Sequence, residues 1–331
     1  MSVAASAPRF CSVYAQAQGD DPLGSAWAMR RMLALELALP WPNSYFEARE
    51  FPAGLGATLE ALWEDYPDTG MLAFAPDPAH ARPGFARVID YRYPEPPHAA
   101  AARREYLVPH PILGEFFAGI FVDDPAALAL PGVESVAYTG RDLFVCTHGT
   151  VDVCCAKFGY PLYRALHSIA AERPAGDVRV WRASHFGGHR FAATLIDWPE
   201  GRFWGFMTPD SGRALIERTG DAAALRGRYR GWSGHASEQA QRLEGEALMR
   251  EGWAWTTWPQ RIEELGAPEP GVSRFRLTAS PPDAPPVVYE GEVAEAGERS
   301  VLHSTGAELD TVMAYEVRDL RRLPAATDGD D

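Results

Sequence analysis

Cysteine and histidine side chains are concentrated in two short stretches of the 331-residue chain. Three of the four cysteines, Cys146, Cys154 and Cys155, fall within ten positions. Downstream of them, His185 and His189 flank a Gly-Gly pair. Thiolate and imidazole are the ligands that soft and borderline metals prefer. The two stretches together therefore predict a metal site.

The glycines between the histidines, Gly187 and Gly188, indicate a loop rather than a helix. Histidines four residues apart would share one face of a helix, but two glycines cost a helix roughly 2 kcal/mol relative to alanine. In a loop, glycine lets the backbone fold closely around a bound centre. Cys146 and Cys155 are nine residues apart, too far for a CxxC redox pair or a zinc-knuckle turn. This spacing suits a long loop around something larger than one ion.

The vicinal cysteines leave open which of them is a ligand. Neighbouring side chains on an extended chain face opposite ways, so we do not expect Cys154 and Cys155 to bind one metal ion together. Cys11 is expected to be a buried core thiol. We expect His148 to donate a hydrogen bond to a ligand rather than to be a third histidine ligand. Asp152 either tunes the site or caps the turn that follows it.

Two predicted strands would bring the cysteines and histidines to one end of a sheet. The apolar run 142–146 predicts a strand that ends on Cys146, and the alternating run 177–183 predicts a strand that ends just before His185. Between them, residues 159–173 predict a helix with Pro161 in its first turn. Open α/β sheets place their sites at the carboxyl ends of parallel strands.

The elements predicted after His185 are a hairpin and a helix. Residues 191–198 and 202–207 predict a hairpin around the turn at 199–201, and a helix is predicted near 237–251. Strand, helix, strand, ligand loop, hairpin and late helix is the element order of a thioredoxin-like domain. We predict such a domain for residues 133–252.

The flanking segments predict two further parts of an α/β protein. Residues 1–132 are expected to form an N-terminal α/β domain, with a short amphipathic helix at 58–65 and strands at 71–75, 86–93 and 105–109. The apolar stretch 26–37 fits either a helix or a buried strand. Residues 253–331 predict a small β-rich C-terminal extension with a disordered tail from Thr327. The sequence shows no internal repeat.

Composition excludes several classes of function. The formal net charge of −14 argues against a nucleic-acid-binding surface, because affinity for phosphates comes largely from Lys and Arg. A basic protein partner suits an acidic chain better. No apolar run reaches the length of a membrane span, and residues 1–10 lack the features of a secretory signal. Four cysteines are too few for a disulfide framework, so we predict a cytoplasmic protein with free thiols.

The two motifs resemble those of the sucrase/ferredoxin-like family, which belongs with the thioredoxin-like ferredoxins. The similar segments are Cys146-Thr-His-Gly-x-x-Asp152-x-Cys-Cys155-Ala, Ser184-His-x-Gly-Gly-His-Arg-Phe-Ala192 and Tyr229-Arg-Gly231. The resemblance extends over about residues 11–251 and leaves the last eighty or so residues outside it.

The resemblance implies a [2Fe-2S] cluster bound by two cysteines and two histidines. By their positions in the motifs, the ligands are Cys146, Cys155, His185 and His189. The family spacing favours Cys155 over Cys154. The implied function is electron transfer to or from a redox partner protein, as a carrier rather than a catalyst, with uptake of a proton coupled to reduction.

Three other functions fit parts of the same pattern. Two cysteines with two histidines are also a standard tetrahedral zinc set, so ligand type alone does not exclude a structural zinc site. A thiol oxidoreductase would use Cys154 and Cys155, but the CxxC at a helix N-terminus that such exchange relies on is absent. A glycosidase needs two carboxylates at a set separation, and no Asp or Glu pair marks one.

Overall fold

A computed structural model describes residues 10–324. These residues form a ten-stranded mixed sheet with helices and a separate four-stranded antiparallel sheet. The predicted α/β class and the β-rich C-terminal part are thereby confirmed. No helix in this span is long and apolar enough to cross a membrane. The tail predicted from Thr327 lies outside the described residues.

The described chain contains six α-helices and fourteen β-strands. Up to residue 146 they are α1 (Cys11–Ala17), β1 (Arg31–Glu36), α2 (Leu55–Leu62), β2 (Thr69–Phe74), β3 (Phe85–Arg92), β4 (Ala102–Pro109), α3 (Leu113–Phe121), β5 (Glu134–Ser135) and β6 (Arg141–Cys146). Next come α4 (Val153–Ala171), β7 (Val178–Ala183), β8 (Leu195–Trp198), β9 (Arg202–Trp204), α5 (Pro209–Glu217), β10 (Tyr229–Trp232) and α6 (Glu238–Glu251). The C-terminal sheet contains β11 (Gln260–Gly266), β12 (Val272–Ala279), β13 (Val287–Val301) and β14 (Asp310–Arg322).

The ten-stranded sheet consists of two halves with the same topology. Strands lie in the order β2-β1-β3-β4 in the first half and β7-β6-β8-β9 in the second. In each half the first two strands in sequence are parallel, and the next two are antiparallel to their neighbours. The halves meet where β2 pairs with β7. A structural repeat thus exists without a visible sequence repeat. The domain boundary predicted near residue 132 lies between two halves that share one sheet.

The central position of β1 explains why its sequence was ambiguous between helix and strand. All six of its residues are buried. Leu33 and Leu35 pack into the core beneath α2 and α3, whereas Met32 and Ala34 pack on the opposite face with aromatic residues of the second half. A strand covered on both faces has no polar side, and the alternation that identifies a half-buried strand is lost.

α4 begins at Val153, six residues earlier than predicted. Asp152 caps it by accepting a hydrogen bond from the backbone N–H of Cys154 at 2.8 Å. Pro161 consequently lies inside the helix rather than in its first turn, where its ring leaves one helical hydrogen bond unmade. Gly159 faces the carbonyl of Cys146, and a Cβ there would collide with it. The start of α4 can therefore pack closely against the end of β6.

The four-stranded sheet covers α6 and sends one loop back toward the first residues of the described chain. Leu243 of α6 shares a hydrophobic core with Phe275 and Leu277 of β12 and with Tyr289 and Val293 of β13. The connection between β13 and β14, residues 302–309, lies beside α1 and the start of α4, and we call it the C-terminal loop.

Candidate metal centre

Three of the predicted ligands converge where β6, β7 and α4 meet. Cys146 ends β6 and is paired with Ala183, the last residue of β7, so that His185 follows two residues later. Cys155 lies in the first turn of α4. The two Sγ atoms of Cys146 and Cys155 lie 3.9 Å and 3.7 Å from His185 Nδ1. Donor atoms of all three residues lie within 4.8 Å of one another.

His189 lies beside this group rather than within it. Its ring centroid is 5.1 Å from that of His185. Nδ1 of His189 lies 3.2 Å from Asp152 Oδ2 but lacks the alignment of a hydrogen bond, and Nε2 lies 3.4 Å from Ser304 Oγ. Burial and the neighbouring His185 lower the pKa of His189, against the opposing influence of Asp152.

The sulfur and nitrogen donors differ in burial. Cys146 and Cys155 are each 1% exposed. Both histidines are half-buried, and the side chain of His189 is 16% exposed. The thiols thus form the inner wall of the site, and the imidazoles form its solvent side.

The side chain of Cys154 faces away from the predicted ligands. Its Sγ lies 3.4 Å from the Sγ of Cys11, and both residues are fully buried. The divergence of the vicinal cysteines was expected for an extended chain, but they lie in the first turn of a helix, where consecutive side chains are rotated by about 100°. The structure brings Cys155, and not Cys154, to Cys146 and His185. The hydrogen bond from Cys11 lowers the pKa of Cys154 to about 6.

The two thiols at the centre shift each other's pKa in opposite directions. Burial acts to raise the pKa of Cys146, but hydrogen bonds from Cys155 and His185 hold it well below its ordinary value. The hydrogen bond to Cys146, together with burial, raises the pKa of Cys155. The N-terminus of α4 beside them also favours a thiolate. Metal binding at this pair has to release any proton that the two thiols still carry.

His148 holds the backbone of the histidine loop. Its Nδ1 accepts a hydrogen bond from the backbone N–H of His185 at 3.2 Å, and its Nε2 donates to the Pro42 carbonyl at 2.7 Å. Both ring nitrogens are therefore engaged. His148 was expected to donate to a ligand side chain, but it instead accepts a hydrogen bond from a ligand candidate's main chain.

A buried arginine lies under the same loop. Arg230 is 2% exposed and donates to the carbonyl oxygens of Gly187 at 3.0 Å and Ser25 at 2.6 Å. Gly188 has a φ of +75°, and a Cβ there would collide with the guanidinium. The close approach of loop and arginine therefore requires glycine at this position.

The charge of Arg230 is complementary to that of the thiolates. Burial, followed by repulsion from Arg190, lowers its pKa to about 9, whereas Cys146 and Cys155 act in the opposite direction. The hydrogen bonds of Arg230 go to neutral oxygen atoms. The two cysteine sulfurs, when they are ionised, thus favour its charged form.

Asp152 connects the centre to the C-terminal loop. Its Oδ2 accepts from the Thr305 backbone N–H at 2.8 Å, and its Oδ1 accepts from Thr305 Oγ1 at 2.9 Å. Burial acts to raise the pKa of Asp152, but the hydrogen bonds from Thr305 and Cys154 hold it below its usual value. Asp152 thus caps α4 and contacts His189 as well. Sequence reasoning missed Ser304 and Thr305, because they lie in no motif and follow the ligands by more than one hundred residues.

One protein family matches more than half of the chain. The model of the sucrase/ferredoxin-like family matches residues 24–231. The chain is a member of the sucrase/ferredoxin-like family. No curated protein and no solved structure matches it. In this sucrase/ferredoxin-like protein, the matched span includes the four candidate ligands and Arg230 but leaves out Cys11 and the C-terminal loop.

Proposed function

We propose that this sucrase/ferredoxin-like protein is an electron carrier that binds a [2Fe-2S] cluster through Cys146, Cys155, His185 and His189. The main support is the convergence of two buried thiols and the half-buried His185 imidazole at the carboxyl ends of two parallel strands, with the His189 imidazole beside them. Such a cluster supplies one-electron redox chemistry. The residues around it hold it, keep its sulfur side dry and leave its nitrogen side open to protons.

The arrangement of the donors favours this cluster over zinc. A structural zinc ion holds four ligands tetrahedrally at about 2.0–2.3 Å, so all four donor atoms must gather around one point. Within the described chain, Cys146, Cys155 and His185 gather in this way, and His189 lies outside their group. A binuclear centre, which would be held by Cys146, Cys155, His185 and His189, does not need all four donor atoms to meet at one point.

The surroundings of the imidazoles support coupling of proton uptake to reduction. His189 is partly exposed and lies next to the Asp152 carboxylate and the Ser304 hydroxyl. A negative carboxylate favours protonation of a nearby imidazole. Arg230, buried under the same loop, adds positive charge that favours an extra electron at the centre.

The sheet topology supports a thioredoxin-like fold for the ligand-bearing half. The β7-β6-β8-β9 order, with α4 between two parallel strands and an antiparallel hairpin after them, matches the order predicted from sequence. A thiol oxidoreductase that uses Cys154 with Cys155 is less well supported, because Cys154 contacts Cys11 and Cys155 contacts His185.

We further propose a cytoplasmic location and a basic redox partner. The chain carries a formal net charge of −14, which would attract a basic reductase or acceptor. Dissolved salt screens this attraction and shortens the distance over which it acts. The rate of electron transfer with such a partner is expected to fall as ionic strength rises. A small uncharged reductant serves as the control, because its rate should change little. Rates with the protein partner that do not depend on salt would argue against docking guided by charge.

The iron, sulfide and zinc content of the purified protein separates the two leading functions. The [2Fe-2S] carrier contains iron and inorganic sulfide in equal amounts. The structural alternative contains one zinc ion and no sulfide.

A further inference from the structure

We infer that Cys11 and Cys154 form a second redox site, a dithiol that a peroxide converts into a disulfide, separate from the proposed metal ligands. The two Sγ atoms lie 3.4 Å apart. Both side chains are 0% exposed. One cysteine begins α1 and the other lies in the first turn of α4, so the pair joins two segments that are 143 positions apart in sequence.

The surroundings of the pair are partly polar. Thr305 Oγ1 lies 3.3 Å from the Sγ of Cys154 and 3.5 Å from that of Cys11. Asp152 Oδ1 lies 3.7 Å from the Sγ of Cys11. A buried thiol that serves only as a small apolar group needs no hydroxyl and carboxylate next to its sulfur. These oxygens can form hydrogen bonds with the two thiols before oxidation.

The geometry suits a disulfide better than a second metal ion. A disulfide needs the sulfurs at about 2.05 Å, so they must approach by little more than an ångström, which side-chain rotation can provide. A metal would need Asp152 as its third ligand. Both oxygens of that carboxylate already accept hydrogen bonds, from the backbone of Cys154 and from Thr305.

The oxidation balances with hydrogen peroxide as the oxidant. One thiol sulfur attacks the peroxide, the O–O bond breaks, and a sulfenic acid and one water form. The second thiol attacks the sulfenic sulfur, the S–O bond breaks, and the disulfide and a second water form. Two electrons leave the two sulfurs, and their two thiol hydrogens end in the two waters.

The disulfide would change the contacts of a residue at the metal centre. The Cys11 sulfur lies 3.7 Å from Asp152 Oδ1, and oxidation removes the thiol hydrogen that could be shared across this contact. Asp152 also caps α4 and lies next to His189. Closing so long a loop restricts the unfolded chain, so oxidation should also raise the midpoint of thermal unfolding.

The test treats the full-length protein, as purified, with hydrogen peroxide and then alkylates its free thiols after denaturation and removal of metal. Of the four cysteines, those that can be alkylated should fall from four to two. Mass spectrometry of a digest should find the peptides of Cys11 and Cys154 joined. The mass of the joined peptide should be lower than the summed mass of the two reduced peptides by two hydrogen atoms. Dithiothreitol should restore all four thiols.

Matched variants and the other cysteine pair serve as controls. Cys11→Ser and Cys154→Ser should each abolish the joined peptide. Peptides joined only through Cys146 and Cys155 would overturn the inference. So would higher oxidation of Cys11 or Cys154 without a joined peptide, or a metal ion in addition to those of the proposed cluster that Cys11→Ser removes. Because wild-type protein supplies the main result, a variant that fails to fold does not prevent the test.

Discussion

Cys155→Ser is expected to remove the iron almost completely, whereas Cys154→Ser should leave the bound iron and the visible spectrum nearly unchanged. Cys155 lies in the same group of donor atoms as Cys146 and His185, but Cys154 faces Cys11. Loss of a ligand should weaken metal binding by more than the roughly 10- to 100-fold that typically follows loss of a residue supporting a ligand. Iron per chain and the absorbance of the visible bands measure this directly.

These two substitutions are matched, because they make the same chemical change at adjacent positions of one helical turn. Metal binding is coupled to folding, so Cys155→Ser should also lower the midpoint of thermal unfolding more than Cys154→Ser does. If Cys154→Ser loses the iron and Cys155→Ser keeps it, the ligand is Cys154 and the assignment made here is wrong.

The midpoint potential should fall as pH rises, by up to about 59 mV per pH unit for one proton per electron. Reduction makes the centre more negative and raises the pKa of a ligand imidazole. Between the lower pKa of the oxidised state and the higher pKa of the reduced state, each electron brings a proton. Below that range the potential is flat because both states are protonated, and above it the potential is flat because neither is.

Histidine-to-cysteine variants separate the effect of charge from that of protonation. A thiolate adds negative charge, so His185→Cys or His189→Cys should lower the potential, in line with the lower values of four-cysteine clusters. Replacing both histidines should also flatten the pH dependence. Voltammetry from neutral to alkaline pH measures both. A flat potential in the native protein would contradict a proton-coupled centre with histidine ligands.

Local patterns were sufficient to predict the elements that deliver the ligands. The runs 142–146 and 177–183 became β6 and β7 within one residue at either end, because strongly apolar or alternating segments leave few alternatives. The late helix was equally well marked, since Ser237 caps α6 by accepting from Ala240. The hairpin after the histidine loop also formed around the predicted turn at 199–201, although β8 and β9 are shorter than the predicted runs 191–198 and 202–207.

Other elements were missed for identifiable reasons. α5 had a readable signal, because Pro209 occupies its first turn and Thr208 forms a capping box with Ser211. β10 is only four residues long and contains Arg230 and Gly231, which are not strand-like. α4 starts earlier than a first-turn position for Pro161 predicts, because Asp152 caps the helix nine residues before this proline.

The parts of the site that depend on distant segments could not be predicted. Cys11 precedes Cys154 by 143 positions, and Thr305 follows Asp152 by 153. No periodicity or motif links such positions, and only the packing of the C-terminal loop against α1 and α4 brings them together. The topological likeness of the two sheet halves was hidden in the same way, because strand pairing depends on apolar pattern rather than residue identity.

Analysis of the protein purified without oxygen tests the central claim most directly. We expect two iron ions and two inorganic sulfides per chain, with visible absorption from sulfide-to-iron charge transfer that bleaches on reduction. Zinc should be present only in trace amounts. Colourless protein with one zinc ion per chain and no sulfide would contradict the assignment of Cys146, Cys155, His185 and His189 to an electron-transfer centre.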